Sequence, residues 1–374
     1  MWAMVAKEFR QLRRDRRTVA MMIVLPIVLL VVFGYAANFD VHDIPTVVVG
    51  PGARQAAASL RPPFHVTDVA PAAGEAAARS KLQDGQAVVA VVTGGTGVQV
   101  LMDGTQLFSV ETAEGALAKL SASTRAAGLP GAGRPGGSWV RQQILYNPKL
   151  TTSWVMVPGL AGLILVFVGT LITSLGVVRE RQTGTLEQLA VMPLRARDVI
   201  AGKIAPYLMV AAVDLTAIVL IGMGLFGVPF TGNVATFALG AALFLLVTLG
   251  MGVLISTVSQ NQGQAIQLAF MIMLPQVLLS GLIFPVSSMA PGVRWISYVL
   301  PLTYFIQVSR GVMLKATPIS ALGQPLGLLA VLAVVVLGLA IVRFRRDLAP
   351  GGRRGRRGGR DAESRDRGSK AVAA

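Results

Sequence analysis

The amino-acid sequence predicts a polytopic α-helical membrane protein with six transmembrane helices, an outer re-entrant hairpin and a mixed α/β extracytoplasmic domain. Three observations carry that prediction. Of the 374 residues, 53 % are hydrophobic, and several runs reach the roughly 20 residues needed to cross a bilayer core of about 30 Å. One stretch of about 110 residues instead reads as soluble and is long enough to bury its own core. Lys and Arg gather in three clusters, and six spans bring all three to one side. With no cysteine in the chain, a disulfide framework, a thiolate zinc site and a thiol nucleophile are excluded. The net charge of +16 would suit nucleic acid, but where the charge lies matters more than its sum.

Residues 1–17, MWAMVAKEFRQLRRDRR, place Trp2, Val5, Phe9 and Leu12 at helical spacing. Lys7, Arg10, Arg13, Arg14, Arg16 and Arg17 supply a basic face. Such a helix lies in the cytosolic membrane interface with its cations toward lipid headgroups. Residues 18–37 form the first span. A basic leader and an apolar run also resemble a signal peptide, but this run exceeds the usual 7–15 residues and is read as a retained anchor.

Residues 38–150 change character, with nearly balanced charge and short β-type runs alternating with Ala-rich ones. Strands are expected at Ile44–Val49, Phe64–Val69, Ala87–Thr93 and Val98–Met102, and helices near Gly74–Gln83 and Gln106–Ala127. Strands separated by helices indicate a compact α/β domain. The Gly-rich return at 128–138 contains GAGRPG, which matches a dinucleotide fingerprint by letter only: no strand precedes it, no helix opens from it, and Pro135 interrupts it. His42 and His65 lack metal-ligand spacing and read as surface or boundary residues.

From residue 151 to 345 the chain is membrane again, with spans expected at Trp154–Val178, Ile204–Gly227, Val234–Val258, Ala265–Phe284 and Pro325–Val342. The basic clusters lie in the first seventeen residues, around Arg179, Arg181, Arg195, Arg197 and Lys203, and after Arg343. The positive-inside rule makes that side cytoplasmic, with both termini, and puts residues 38–150 outside.

Between the second and third spans, residues 179–203 (RERQTGTLEQLAVMPLRARDVIAGK) interrupt the apolar runs. Thr185 and Gln188 fit a capping box, Gly184 permits a sharp entry, and Glu187 suits the first-turn dipole. Leu186, Leu189 and Ala190 share a face, and Pro193 stops the helix. A connector with ordinary surface charges has the same composition.

Residues 280–317 stay apolar although broken by Pro285, Pro291, Gly292 and Pro301. Such backbone stays at membrane depth only when protein or a water-filled cavity covers it, so an outer re-entrant hairpin is expected, with Trp295, Tyr298 and Tyr304 near the headgroups. An outer loop with an interfacial helix is the other reading. Asp214, the acid well inside a span, marks either a polar helix contact or a substrate or proton site. The Arg/Gly tail, residues 346–374, is too polar to fold alone. It has no aromatic after Phe344 for base stacking, so anionic lipid is its expected partner and nucleic acid is not. No Walker A phrase, HExxH or GxSxG is present.

The order of one span, a large outer domain and five more spans resembles the permease subunit of type-2 ABC exporters, in the branch with an extracytoplasmic domain (type V ABC exporter-like). Glu180, Gly184, Thr185, Leu186 and Glu187 match that family's acid-x-x-x-Gly-Thr-Leu-Glu phrase, and Pro193-Leu194 its Pro-Leu. Gly281, Pro285, Pro301, Leu302 and Arg310 fall on its outer phrase, and VLMDGTQLF is similar to a strand-turn-helix phrase common in the branch. The resemblance implies that the segment from Arg179 to Lys203 rests in a groove of a separate ATPase subunit, which holds ATP and Mg. This chain would carry no cofactor of its own and would pair with a second permease, identical or similar. Amphipathic or lipid-like cargo, such as a drug, antibiotic or lipid, suits the apolar interior. An ATPase-independent receptor or secretion-associated scaffold, and a secondary transporter using Asp214, are the alternatives.

Overall fold

A computed structural model describes residues 41, 43–94, 97–126, 140–183 and 196–348. The first described unit is a five-stranded sheet: β1 Ile44–Val49, β2 Phe64–Ala70, β3 Val89–Gly94, β4 Gly97–Asp103 and β5 Val140–Leu145, in the order β2-β1-β3-β4-β5. β1 runs parallel to β2 and β3, β4 is antiparallel to β3, and β5 is parallel to β4. Strand alternation sends side chains to both faces. One face (Ile44, Val48, Val89, Val91, Val100, Met102) packs with Ala53 of helix α1, Ala53–Ser59, and with Val110 and Ala113 of α3, Leu107–Ala126. The other (Val47, Val49, Ala90, Leu101) is covered by Ala78 and Leu82 of α2, Glu75–Gln83.

The remaining described residues form a helical bundle: α4 Thr152–Gln182, α5 Ala196–Phe226, α6 Val234–Val258, α7 Gln262–Leu279, α8 Pro291–Ser297, α9 Pro301–Lys315 and α10 Gly323–Leu348. Five of these helices, α4, α5, α6, α7 and α10, are long and apolar enough to cross a membrane. α4 is central and packs on α5, α6, α7 and α9, while α6 also packs on α9 and α10. Small residues permit this. A Cβ on Gly252 of α6 would lie 2.8 Å from the Thr170 carbonyl oxygen of α4, and one on Gly162 of α4 would lie 2.5 Å from the Phe305 ring of α9. Phe305 in turn stacks on Phe244 of α6, with centroids 4.4 Å apart.

The bundle has two distinct ends. α4 leaves the sheet unit at Thr151 and finishes at Thr183, so the sheet and the far ends of α4 and α6 are separated by the length of the bundle. At that far end Val177, Ile200, Ile204, Val253, Ala340 and Phe344 close a small core.

The expected strands and helices of the sheet unit are present, joined by α1 and β5, which periodicity had not indicated. The span expected to end at Phe284 stops at Leu279, because Gly281 adopts a φ of 86° and turns the backbone away. α10 continues to Leu348, past the expected tail boundary at residue 346. Residues 1–37, with the interfacial helix (Trp2, Lys7, Arg10, Arg13, Arg14, Arg16, Arg17) and the first span, lie outside the described residues, as does 349–374.

Candidate functional site

At the end of the bundle opposite the sheet, two helices present the roots of the expected coupling segment. Gly184, Thr185, Leu186, Glu187, Leu189, Pro193 and Leu194 lie outside the described residues, but their flanks are defined. Thr183 closes α4, its amide and its hydroxyl both donating to the Arg179 carbonyl, at 3.0 and 3.1 Å. Glu180 pairs with Lys203 of α5, which joins the two roots directly. Arg181 reaches sideways and donates to the carbonyls of Ser256 and Ser259 at the end of α6, both at 3.0 Å. Those carbonyls belong to a helix terminus that has lost its own donors, so a guanidinium is a fitting cap. Gln262 of α7 adds a 3.1 Å bond to Gln182.

At the opposite end the broken segment after α7 is organised around one arginine. Gly281 turns the chain, Pro285 leads into a 3₁₀ turn at Val286–Ser288, and Pro301 begins α9, where its missing N–H costs nothing. Leu302 is fully buried. Arg310 donates to the Val155 carbonyl of α4 at 3.0 Å, to Gly281 at 3.4 Å and to Leu282 at 3.3 Å. Pro158 interrupts the hydrogen-bond ladder of α4 in this stretch, and Ser309 and Arg310 supply donors beside the break. Trp295 and Tyr298 are exposed, whereas Tyr304, expected with them near the headgroups, is buried and its hydroxyl donates to the Tyr298 carbonyl. A buried phenol keeps its hydroxyl satisfied by a hydrogen-bond partner, here the Tyr298 carbonyl.

The last residue of α9, Lys315, fixes this segment to the sheet unit. Its ammonium lies 2.5 Å from Asp103 and donates to the Leu82 carbonyl at 3.0 Å. Asp103 also accepts from the amide and hydroxyl of Thr105 at the turn into α3. Gln83 bonds the Lys315 and Ala316 carbonyls, and Thr317 returns a bond to Gln83. Tyr146, beneath Lys315, has its phenol pushed up to about 12 by burial and then by the charge of Asp103, so it stays neutral. Sequence reasoning did not single out Asp103 or Lys315, and it placed Arg181 only within a basic cluster. The available signals were the Asp in VLMDGTQLF and a lone Lys within an apolar run.

Asp214 is half-buried on α5 and makes no hydrogen bond or ion pair among the described residues. Its neighbours on that helix, Val210 and Val213, are exposed. His65 is exposed beside Asp43, as a surface histidine should be. No His/Asp/Glu group that could hold a metal exists among the described residues.

Residues 16–342 match the family described as ABC-2 family transporter protein. The chain is 27 % identical over 361 residues to the "Probable multidrug ABC transporter permease YbhR" of Escherichia coli strain K12, covering 92 % of this chain and 98 % of that one. It is 27 % identical over 365 residues to "Probable multidrug ABC transporter permease YbhS" of the same strain, covering 92 % and 97 %. A shorter likeness, 30 % over 176 residues, links 47 % of this chain to 24 % of "ABC transporter G family member 20" of Dictyostelium discoideum.

Proposed function

The chain belongs to the ABC-2 family of transporter proteins, and we propose that it is the membrane-spanning permease subunit of an ATP-driven exporter in the bacterial inner membrane. A separate ATPase subunit, which binds ATP and Mg, docks on residues 184–195 and their roots, and two permease copies or two similar permeases share the complex. Cargo is amphipathic or lipid-like, in keeping with relatives that are named multidrug permeases. Residues 38–150 lie outside the cytoplasm, and the first span lies within residues 18–37. Residues 280–317 form an outer re-entrant hairpin.

One observation carries the reading. A segment that transmits force must be joined stiffly to what it moves, and here both of its roots are joined. The Glu180–Lys203 pair ties α4 to α5, and Arg181 ties α4 to the end of α6. A push on the segment therefore reaches three helices together, which is what switching a central cavity between inward and outward access requires.

Coupling is tested by variants within the segment. Glu187→Ala and Gly184→Pro should leave the protein in the membrane with its ATPase partner while transport per ATP hydrolysed falls severalfold. Normal transport by both variants would refute the assignment. Asp214, unpaired among the described residues, carries the second reading, a proton-coupled transporter. In that case transport would follow the proton gradient, be lost in Asp214→Asn and ignore removal of the ATPase.

A further inference from the structure

We propose that the cleft between the sheet unit and the bundle binds the anionic oxygens of an amphipathic molecule, with Arg310 as the cation that receives them. The cleft is shallow and half open: the roughly 280 Å³ of space in it includes the solvent at its mouth, and its enclosed part is small. Leu107, Phe108, Met156 and Ile283 give it apolar walls, Thr105 and Gln106 a polar edge, and Arg310 lies among them.

Charge is the first reason. Arg310 and Lys315 are each 8 % exposed and Asp103 is 1 % exposed, so two buried cations face one buried carboxylate among the described residues. Asp103 is already taken at 2.5 Å by Lys315. A buried charge is stable only when paired, and here one positive charge is left over. The guanidinium has five donors, three of them used on neutral carbonyls that orient it without neutralising it.

Position is the second reason. Gln106 and Leu107 stand at the start of the twenty-residue helix α3, whose dipole adds positive potential on the same side of the cleft. Met156 is one turn beyond the start of α4 at Thr152, about 6 Å into that span. The cleft is narrow, so it takes a carboxylate or the edge of a phosphate while the tail follows the apolar wall outward. Nothing in this assignment depends on how ATP is coupled.

The test uses the full-length chain, purified in neutral detergent, with oleate, inorganic phosphate and decylamine as probes, and in nanodiscs of phosphatidylglycerol or phosphatidylcholine. Native mass spectrometry counts retained molecules and heating measures protection. Oleate and phosphatidylglycerol should be retained and protective, decylamine and phosphatidylcholine not. Gln106→Glu places a competing carboxylate at the mouth, where a helix N-terminus welcomes it, so the protein should fold and bind roughly tenfold more weakly. Arg310→Lys keeps a charge without the fork and should bind at an intermediate level; Arg310→Gln should abolish binding. Should the Arg310 variants fail to fold, Gln106→Glu decides alone. Retention of oleate and phosphatidylglycerol unchanged in Gln106→Glu would overturn the site. Protection by phosphate equal to that by oleate would overturn its amphipathic character and assign it to a soluble anion.

Discussion

Lys315 and Asp103 come from opposite parts of the chain, one at the end of an apolar helix and the other at the end of a strand. Each is buried at the boundary between the sheet and the bundle. Two charges removed from water are held only because each also has neutral partners: the Leu82 carbonyl for the ammonium, and the Thr105 amide and hydroxyl for the carboxylate. Removing one member alone strands the other, which typically costs about 3–5 kcal/mol, whereas replacing both with neutral groups of similar shape is often close to neutral. Lys315→Met should therefore lower the thermal unfolding midpoint well below that of the double variant Lys315→Met/Asp103→Asn, in which Asn still accepts from Thr105. Equal midpoints for the single and double variants would mean that the pair contributes only packing.

Among the elements, α9 binds the molecule together. It sits in a groove made by α4 and α6, with Phe305 between Gly162 and Phe244. Its Arg310 holds the start of α4 and the turn after α7, and its Lys315 holds the sheet unit. Because a Cβ at Gly162 would meet Phe305 at 2.5 Å and Leu302 at 2.7 Å, Gly162→Val should push α9 out of its groove. Overpacking of this kind costs on the order of 1–3 kcal/mol, and it should increase proteolysis between α7 and α10 in detergent while leaving insertion intact. Proteolysis equal to wild type would show that α9 has room to give. The sequence makes the existence of α9 legible, since Pro301 and an apolar run announce it, and the strands at residues 44–49 and 98–102 stand out as short runs rich in Val and other apolar residues, the first buried on both faces. It hides what α9 touches, because a glycine in an apolar helix and a lysine at its end look ordinary until a third element is brought against them. β5 was missed for a similar reason: VRQQIL has little alternation and becomes a strand only beside β4. The roots of the proposed coupling segment were legible as charge, but Arg181 as a cap on α6 is a long-range contact that no local pattern carries.

At the scale of the whole molecule, the helices alternate direction and sort their charges by end. Arg179, Arg181, Lys203, Arg343 and Arg345 stand at or near the end away from the sheet, while Asp103 and Lys315 neutralise each other at the sheet end. A membrane reads such an asymmetry directly, since loops rich in Lys and Arg remain in the cytoplasm. The orientation proposed above, with α1 and the sheet outside and Thr183 inside, agrees with that rule and can be tested directly. The chain contains no cysteine, so single cysteines can be introduced without a background. Ser59 and Thr183 are both exposed and lie at opposite ends of the molecule. Treated with a membrane-impermeant maleimide on intact cells, or on spheroplasts if an outer membrane intervenes, Ser59→Cys should label fully and Thr183→Cys only after permeabilisation. The reverse pattern would put the sheet in the cytoplasm, and with it the segment assigned to the ATPase on the wrong side of the membrane to meet ATP.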